Sequence, residues 1–275
     1  LHLQHGPIDC LCRAWGDAAE VRAAYAQAAA AFPAILPALC DELPHLRTEL
    51  PTGQPAGAVA RAMHAACMPF ADAQITPMAA VAGAVADHML AAMTHGRTLA
   101  RAFVNNGGDI AFHLAPGGSL RAGLVADLAA PALDGVFELR DTQPSRGLAT
   151  SGRASKGKGG RSFSFGIADA VSILAASAAA ADAAASIVGN AVDLPGHPAI
   201  SRRPASEIDP DSDLRNRLIT WEVGALTQAQ VARALDAGAR VAEALIDMHA
   251  IHAAVLALRG QIRLCGPTNP ELTDR

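Results

Sequence analysis

Asn105-Asn106-Gly107-Gly108-Asp109 stands between two strand-like apolar runs, Arg101-Ala102-Phe103-Val104 and Ile110-Ala111-Phe112-His113-Leu114. Asn and Gly tolerate the positive φ of tight turns, and Asn-Gly between such runs is a strong hairpin signal. The chain is thus constrained to reverse here and pair with itself. Two adjacent glycines also let a ligand approach the backbone N–H groups with no Cβ in the way. Asn106, Gly107, Gly108 and Asp109 are therefore candidate binding residues as well as turn residues.

A second glycine-rich segment runs Thr150-Ser151-Gly152-Arg153-Ala154-Ser155-Lys156-Gly157-Lys158-Gly159-Gly160-Arg161-Ser162. Lys156 and Lys158 are the only lysines in the chain. Positive charge clustered among glycines suits a phosphate or another anion, and a solvated loop is the competing reading. No GxxxxGK[ST] stands here, so a nucleotide-triphosphate loop is not indicated.

With 51% hydrophobic and 17% charged residues in 275, the chain has ample core material and is read as one domain spanning 1–275. A net charge of −4, with no basic stripe interleaved with aromatics, gives no footprint for nucleic acid. The five cysteines include no CxxC pair and no dense disulfide spacing, so a reducing, cytoplasmic setting is expected. Cys10 and Cys12 lie one residue apart in an alternating run and read as small hydrophobes facing one side. Pro33 and Pro37 interrupt the longest Ala-rich stretch, which argues against a membrane span. No signal peptide is visible, although a chain beginning at Leu1 leaves a removed segment open.

Periodicity predicts an opening strand over 1–12, a helix from Asp17 broken at Pro33 and Pro37, and a helix over 59–67. Thr76-Pro77 reads as an N-cap with proline in the first turn of a further helix. Strand-like runs follow at 120–126, 136–139, 163–165 and 171–174, then an Ala-rich helix over 178–190. A polar, proline-bearing segment spans 194–217, and a strand is expected at 218–223. A helix over 227–248 capped by Thr227 and closing strands at 251–258 and 261–264 complete an α+β, or mixed α/β, chain.

Asp182 and Ser186, four apart in the Ala-rich helix, share one face and offer a carboxylate and a hydroxyl to the same region. Such hard oxygen donors suit Mg²⁺, which takes few protein ligands and adds water and phosphate. A solvated helix carboxylate is the alternative. His249 and His252 lack a third ligand, and 209–220 fails the EF-hand pattern at Leu214 and Thr220. Ser151, His113 and Asp109 come nearest to a catalytic triad, but no GxSxG elbow supports one.

In order and spacing these pieces resemble the ApbE-like proteins, whose best-studied members are flavin transferases. The matching segments are Thr76-Pro77-Met78-Ala79-Ala80-Val81-Ala82-Gly83-Ala84-Val85-Ala86-Asp87, Val104-Asn105-Asn106-Gly107-Gly108-Asp109, Ala149-Thr150-Ser151-Gly152 and Ala181-Asp182-Ala183-Ala184-Ala185-Ser186. The likeness covers roughly 69–190, and the wording around Leu3-Gln4-His5-Gly6-Pro7-Ile8-Asp9 resembles a poorly characterised branch. It implies a T-fold-like layered fold, FAD as ligand and Mg²⁺ on its diphosphate. Carried across, Asp182 and Ser186 would hold the metal. Asn106, Gly107, Gly108 and Asp109 would line the flavin or its ribose, Thr150, Ser151 and Gly152 would flank the ring, and Asp87 also matches.

Two departures stand against transferase chemistry. Ala82 replaces the family's lysine, with Lys156 or Lys158 as the replacement cation only if their loop folds inward. The segment 161–169 carries neither the family's histidine nor its Asp-Pro, leaving Asp169 as a partial substitute. The catalytic candidates are accordingly Asp109, Asp169 and Lys156. Two functions follow: Mg²⁺-dependent binding or processing of FAD, by FMN transfer or diphosphate cleavage, or binding or conversion of a small planar heterocycle such as a pterin or purine. The expected partners are a small-molecule ligand and a second copy of the chain in a homodimer.

Overall fold

The computed structural model describes residues 1–124, 135–152, 163–267 and 271–272, so Lys156 and Lys158 lie outside the described residues. The chain opens with β1 (His2–His5) and β2 (Ile8–Gly16), then α1 (Ala18–Ala31), α2 (Ile35–Asp41), α3 (Leu43–Leu46), α4 (Ala58–Cys67) and α5 (Val81–Thr94). Next come β3 (Leu99–Asn106), β4 (Asp109–Leu114), β5 (Ser119–Leu124), β6 (Gly135–Arg140), β7 (Gly147–Ser151), β8 (Ala170–Ala175) and α6 (Ala178–Ala191). The remainder is β9 (Ile200–Pro204), β10 (Leu218–Val223), α7 (Gln228–Asp247), β11 (Ala253–Leu258), β12 (Gln261–Cys265) and β13 (Glu271–Leu272). This is a mixed α+β fold, as the two periodicities predict.

The expected single strand over 1–12 is instead a hairpin. Gly6, at φ 56°, supplies the left-handed turn residue and Pro7 follows it, so β1 folds back on β2 with His5 opposite Ile8. The helix after Asp17 forms as expected: its carboxylate accepts the Ala19 and Glu20 N–H groups at 2.7 and 3.4 Å. A 3₁₀ turn over Phe32–Ala34, with Pro33 near its start, separates α1 from α2. Across this break, Ala18–Asp41 reaches a mean hydropathy of 1.4, enough by length and composition to cross a membrane. Ala24, Ala28, Phe32, Ile35 and Leu39 along it are buried.

The chain divides into two compact units, the first comprising Leu1–Ala122, Glu138–Ala149 and Leu174–Ala183. Its strands lie in the order β1-β2-β3-β4-β7, with antiparallel pairing throughout. Register places Cys10 opposite Asn106, Cys12 opposite Val104 and Ala102 opposite His113, so these side chains share one face. On that face α5 packs against β3 and β4, and it also touches α1 and α4. Val85, Met89 and Met93 of α5 are fully buried, each contributing about 1.5–3 kcal/mol of apolar transfer energy.

The second unit comprises Gly123–Phe137, Thr150–Ile173 and Ala184–Arg275. Here β11 lies between β8 and β12, and α7 packs on β11 and β12. Helix α7 begins with a capping box between Thr227 and Gln230, as its sequence predicts. It buries Val231, Ala234, Leu235, Gly238, Ala242 and Leu245 at helical spacing. A Cβ on Gly238 would lie 2.3 Å from Val192 Cγ2, so the glycine permits the close approach.

Two expectations fail in this unit. The polar segment 194–217 contains β9, which pairs antiparallel with β10; its residues alternate between half-buried and exposed and none is fully buried, so Ile200-Ser201-Arg202-Arg203-Pro204 shows no apolar alternation. The run 163–165 is not a strand. It is held by the Asn190 and Thr220 side chains and one backbone bond: Asn190 Oδ1 accepts the Phe165 N–H at 3.0 Å, Thr220 Oγ1 donates to the Phe165 carbonyl at 3.0 Å, and the Thr220 N–H donates to the Ser164 carbonyl at 2.9 Å. Gly166 then turns so close to α6 that a Cβ would sit 2.0 Å from the Gly189 carbonyl oxygen.

Candidate functional site

Thr76 does not cap α5. A 3₁₀ turn over Pro77–Ala80 intervenes, the helix starts at Val81, and its N-cap, Ala80, has no side-chain acceptor to offer. The first turn of a helix leaves N–H groups without partners. One of them, Gly83 N–H, donates to Asp182 Oδ2 at 3.0 Å, so the cap comes from α6.

The reverse contact mirrors it. Asp87, on α5, accepts the Ala178 N–H at 3.0 Å through Oδ1 and the Ala179 N–H at 2.9 Å through Oδ2, at the start of α6. The Ser177 side chain also hydrogen-bonds Asp87. Burial nevertheless raises the Asp87 carboxyl above its usual range, against the pull of these three donors. The two helix starts abut so tightly that a Cβ on Gly83 would lie 2.2 Å from the Ala178 carbonyl oxygen. Each positive helix end therefore meets a carboxylate from the other helix.

The hairpin predicted from Asn-Gly forms as a two-residue turn, with Gly107 at φ 66° and Gly108 at φ 112° between the paired Asn106 and Asp109. Asn105 Oδ1 accepts the Gly108 N–H at 2.8 Å and steadies the turn. Asn106 is 6% exposed and reaches two ways: its amide donates to the Ala82 carbonyl at 3.1 Å and its oxygen accepts the Asp9 N–H at 3.2 Å. Asp109 is buried beside it. Cβ atoms on Gly107 and Gly108 would meet nothing within 4 Å, so the turn has open space above it. Asn106 and Asp182 are thus both bonded to the Ala82-Gly83 step at the start of α5.

Cys67, at the end of α4, belongs to the same neighbourhood. Its thiol points toward the Pro77 carbonyl at 3.9 Å, and burial together with the nearby Asp182 charge pushes its pKa well up. Sequence reading assigned it no role. The sequence did contain a signal for the paired caps, because Gly83 and Asp87 are four positions apart, as are Ala178 and Asp182.

The other candidates fall in the second unit. Thr150 Oγ1 shares a hydrogen bond with Ser172 Oγ at 2.8 Å, and Ser151 is buried. Gly152, at φ 134°, approaches the chain so closely that a Cβ would lie 2.5 Å from the Asp169 carbonyl oxygen. Asp169 Oδ2 accepts the Arg259 N–H at 2.5 Å and so holds the β11–β12 turn. Ser186 is half-buried, one turn beyond Asp182 on α6. Lys156 lies outside the described residues.

Asp182 Oδ2 accepts the Gly83 N–H. A carboxylate followed one turn later on the same helix by a hydroxyl, Ser186, is hard-oxygen chemistry of the kind Mg²⁺ takes, with water and phosphate completing its shell. Among the described residues, no group of three or more His, Cys, Asp or Glu side chains is placed to hold a metal by itself.

A UPF0280 protein of Methanothrix thermoacetophila is 36% identical over 145 residues, which is 52% of this chain and 56% of that protein. A UPF0280 protein of Methanococcus vannielii is 35% identical over 119 residues, 43% of this chain and 46% of its own length. A third, of Methanothermobacter thermautotrophicus, is 35% identical over 123 residues, 45% of each. The chain thus spans about half the length of the curated relatives it matches. A crystal structure of an ApbE protein from Thermotoga maritima aligns with a TM-score of 0.39 and 16% identity, covering 69% of this chain and 50% of that one. The family model described as AbpE bacteria matches residues 1–264, so the chain belongs to this ApbE-like family.

Proposed function

We propose that the protein binds FAD beside the start of α5, with Mg²⁺ held against the FAD diphosphate by Asp182 and Ser186. One observation carries the reading: Asn106 and Asp182, from the two motifs the resemblance assigns to ligand and metal, are both tied to Ala82-Gly83. The metal would neutralise phosphate charge. Asn106 and Asp109 would fix the turn beneath the ligand, and Gly107 and Gly108 would leave the space it needs. A cytoplasmic setting is supported by five cysteines that are all free thiols.

The reading is of binding and not of FMN transfer. Ala82 places a methyl group where the transferases have a lysine, and 161–169 contains no histidine to move a proton. Thr150, Ser151 and Gly152 are not needed for it.

Flavin fluorescence anisotropy with and without Mg²⁺ tests the proposal. Asp182→Asn is the informative variant, because its amide oxygen keeps an acceptor for the Gly83 N–H while the metal-binding charge is lost. Mg²⁺ is expected to tighten FAD binding to the native chain, and the substitution should weaken metal-dependent binding about tenfold or more. Failure of FAD to bind in either condition, or an unchanged Mg²⁺ effect in the variant, would overturn it.

A further inference from the structure

The sheet face of the first unit turned away from α5 carries an arginine–aromatic cluster that the proposed ligand site does not use. Register pairs Leu11 with Asn105, Arg13 with Phe103 and Trp15 with Arg101, which places these side chains on one side of β2 and β3. The Arg101 guanidinium lies 4.5 Å from the Trp15 ring centroid and that of Arg13 lies 5.3 Å away. Phe103 tilts against the same indole at 5.9 Å between centroids. Leu11 is 46% exposed at the end of the cluster.

Buried interface centres are enriched in Trp, Phe and Arg, and a solvated sheet face ordinarily alternates to polar side chains. Among the described residues, neither Arg13 nor Arg101 has a carboxylate partner, and the nearby Asp9 is bonded to His2. Among the described residues the Arg13 guanidinium meets the Trp15 ring and no hydrogen-bond acceptor, while Arg101 uses one donor on the Ser119 carbonyl.

The complementary charge lies on the same chain. Glu207, Asp209 and Asp211 lie within one five-residue stretch after β9, and among the described residues none of them forms an ion pair. Asp209 Oδ1 accepts the Asp211 N–H at 3.0 Å, which shapes this segment into a turn. We propose that the face formed by Leu11, Arg13, Trp15, Arg101 and Phe103 on one chain receives the acidic 207–211 turn of a second copy. Each exposed ion pair is weak, so the apolar surface of Trp15, Phe103 and Leu11 supplies the attraction and the charges set the register. A two-fold pair forms the contact twice, which helps a small patch approach the roughly 800 Å² per partner of a stable interface.

Sedimentation of the full chain in about 0.05 M and about 0.5 M salt tests this, since exposed charges are screened at the higher concentration. The native chain is expected to self-associate, more weakly in high salt. Arg13→Glu with Arg101→Glu, and separately Asp209→Arg with Asp211→Arg, should each raise the dissociation constant about tenfold or more. Mixing the two charge-reversed proteins should restore association between them. A monomeric native chain, an association indifferent to both variants, or no recovery on mixing would each overturn the proposal. Should the arginine variant fail to fold, weakened association of the acidic-turn variant still supports it and undiminished association refutes it. FAD binding is read separately, so failure here does not touch the flavin proposal.

Discussion

Asp87 and Asp182 cap each other's helices. In each helix a backbone donor is followed four residues later by the carboxylate that serves the partner: Gly83 and Asp87 on α5, Ala178 and Asp182 on α6. One helical turn separates donor from acceptor, so both stand on the same side of their helix. The arrangement gives two matched sequence motifs one structural task.

Both carboxylates should matter for stability. Asp87→Ala strands the N–H groups of both Ala178 and Ala179 and should cost about 2–4 kcal/mol, and Asp182→Ala strands at least that of Gly83 and should cost about 1 kcal/mol or more. Urea unfolding of both single variants and the double variant measures this. The double cost should depart from the sum by about 0.5 kcal/mol or more if the caps act together.

Gly83→Ala should destabilise, reversing the usual gain of about 1 kcal/mol from alanine inside a helix. The new Cβ would lie 2.2 Å from the Ala178 carbonyl oxygen, so the two helix starts must part. Overpacking of this kind costs about 1–3 kcal/mol. Thermal melts of Gly83→Ala beside Gly108→Ala, which meets no atoms within 4 Å and pays only for its positive φ, would show the difference.

Neighbouring residues on α5 should give opposite pH dependences. Asp87 is raised above 3.8, chiefly by burial, so between that value and its folded pKa the native state binds more protons than the unfolded chain. Stability from this group is full below 3.8 and is lost as pH rises through the folded pKa. His88 and His252 are lowered below 6.5, mainly by burial, so stability they contribute above 6.5 is lost as pH falls through their folded values. Unfolding free energies over about pH 4 to 7 should lose their downward component in Asp87→Asn. A variant curve parallel to the native one refutes the assignment.

Thiol reactivity should single out Cys40. It is exposed, whereas Cys10, Cys12, Cys67 and Cys265 are buried, and burial, with Cys12 and Asp9 adding, pushes the Cys10 thiol up to about 12. An aromatic disulfide reagent at neutral pH should titrate one thiol in the folded protein and all five after unfolding. Rapid labelling of Cys67 in the native state would contradict the enclosed position described for it.

Local signals in the sequence suffice where one short segment decides its own shape. The Asn105–Asp109 turn, the Asp17 cap and the Thr227-Gln230 box need only neighbouring residues, and each forms as expected. The start of α5 did not follow this logic. Thr76 and Pro77 look like a helix entry, yet the cap arrives from a residue 99 positions away, which no local pattern can reveal. Phe163–165 fails as a strand for a similar reason, because distant Asn190 and Thr220 take its backbone groups. The same limit applied to the candidate site: the motifs identified Asn106 and Asp182, but their meeting at Ala82-Gly83 required tertiary contacts.

Because the first unit is assembled from three separated stretches of chain, cutting the polypeptide after Ala122 would not release it whole. The piece would keep Gly83 but lose the acid that quiets its amide, along with the strand that borders β4. During synthesis, too, α5 must wait with a ragged leading edge until some ninety further residues have emerged, and only then does its ending partner arrive.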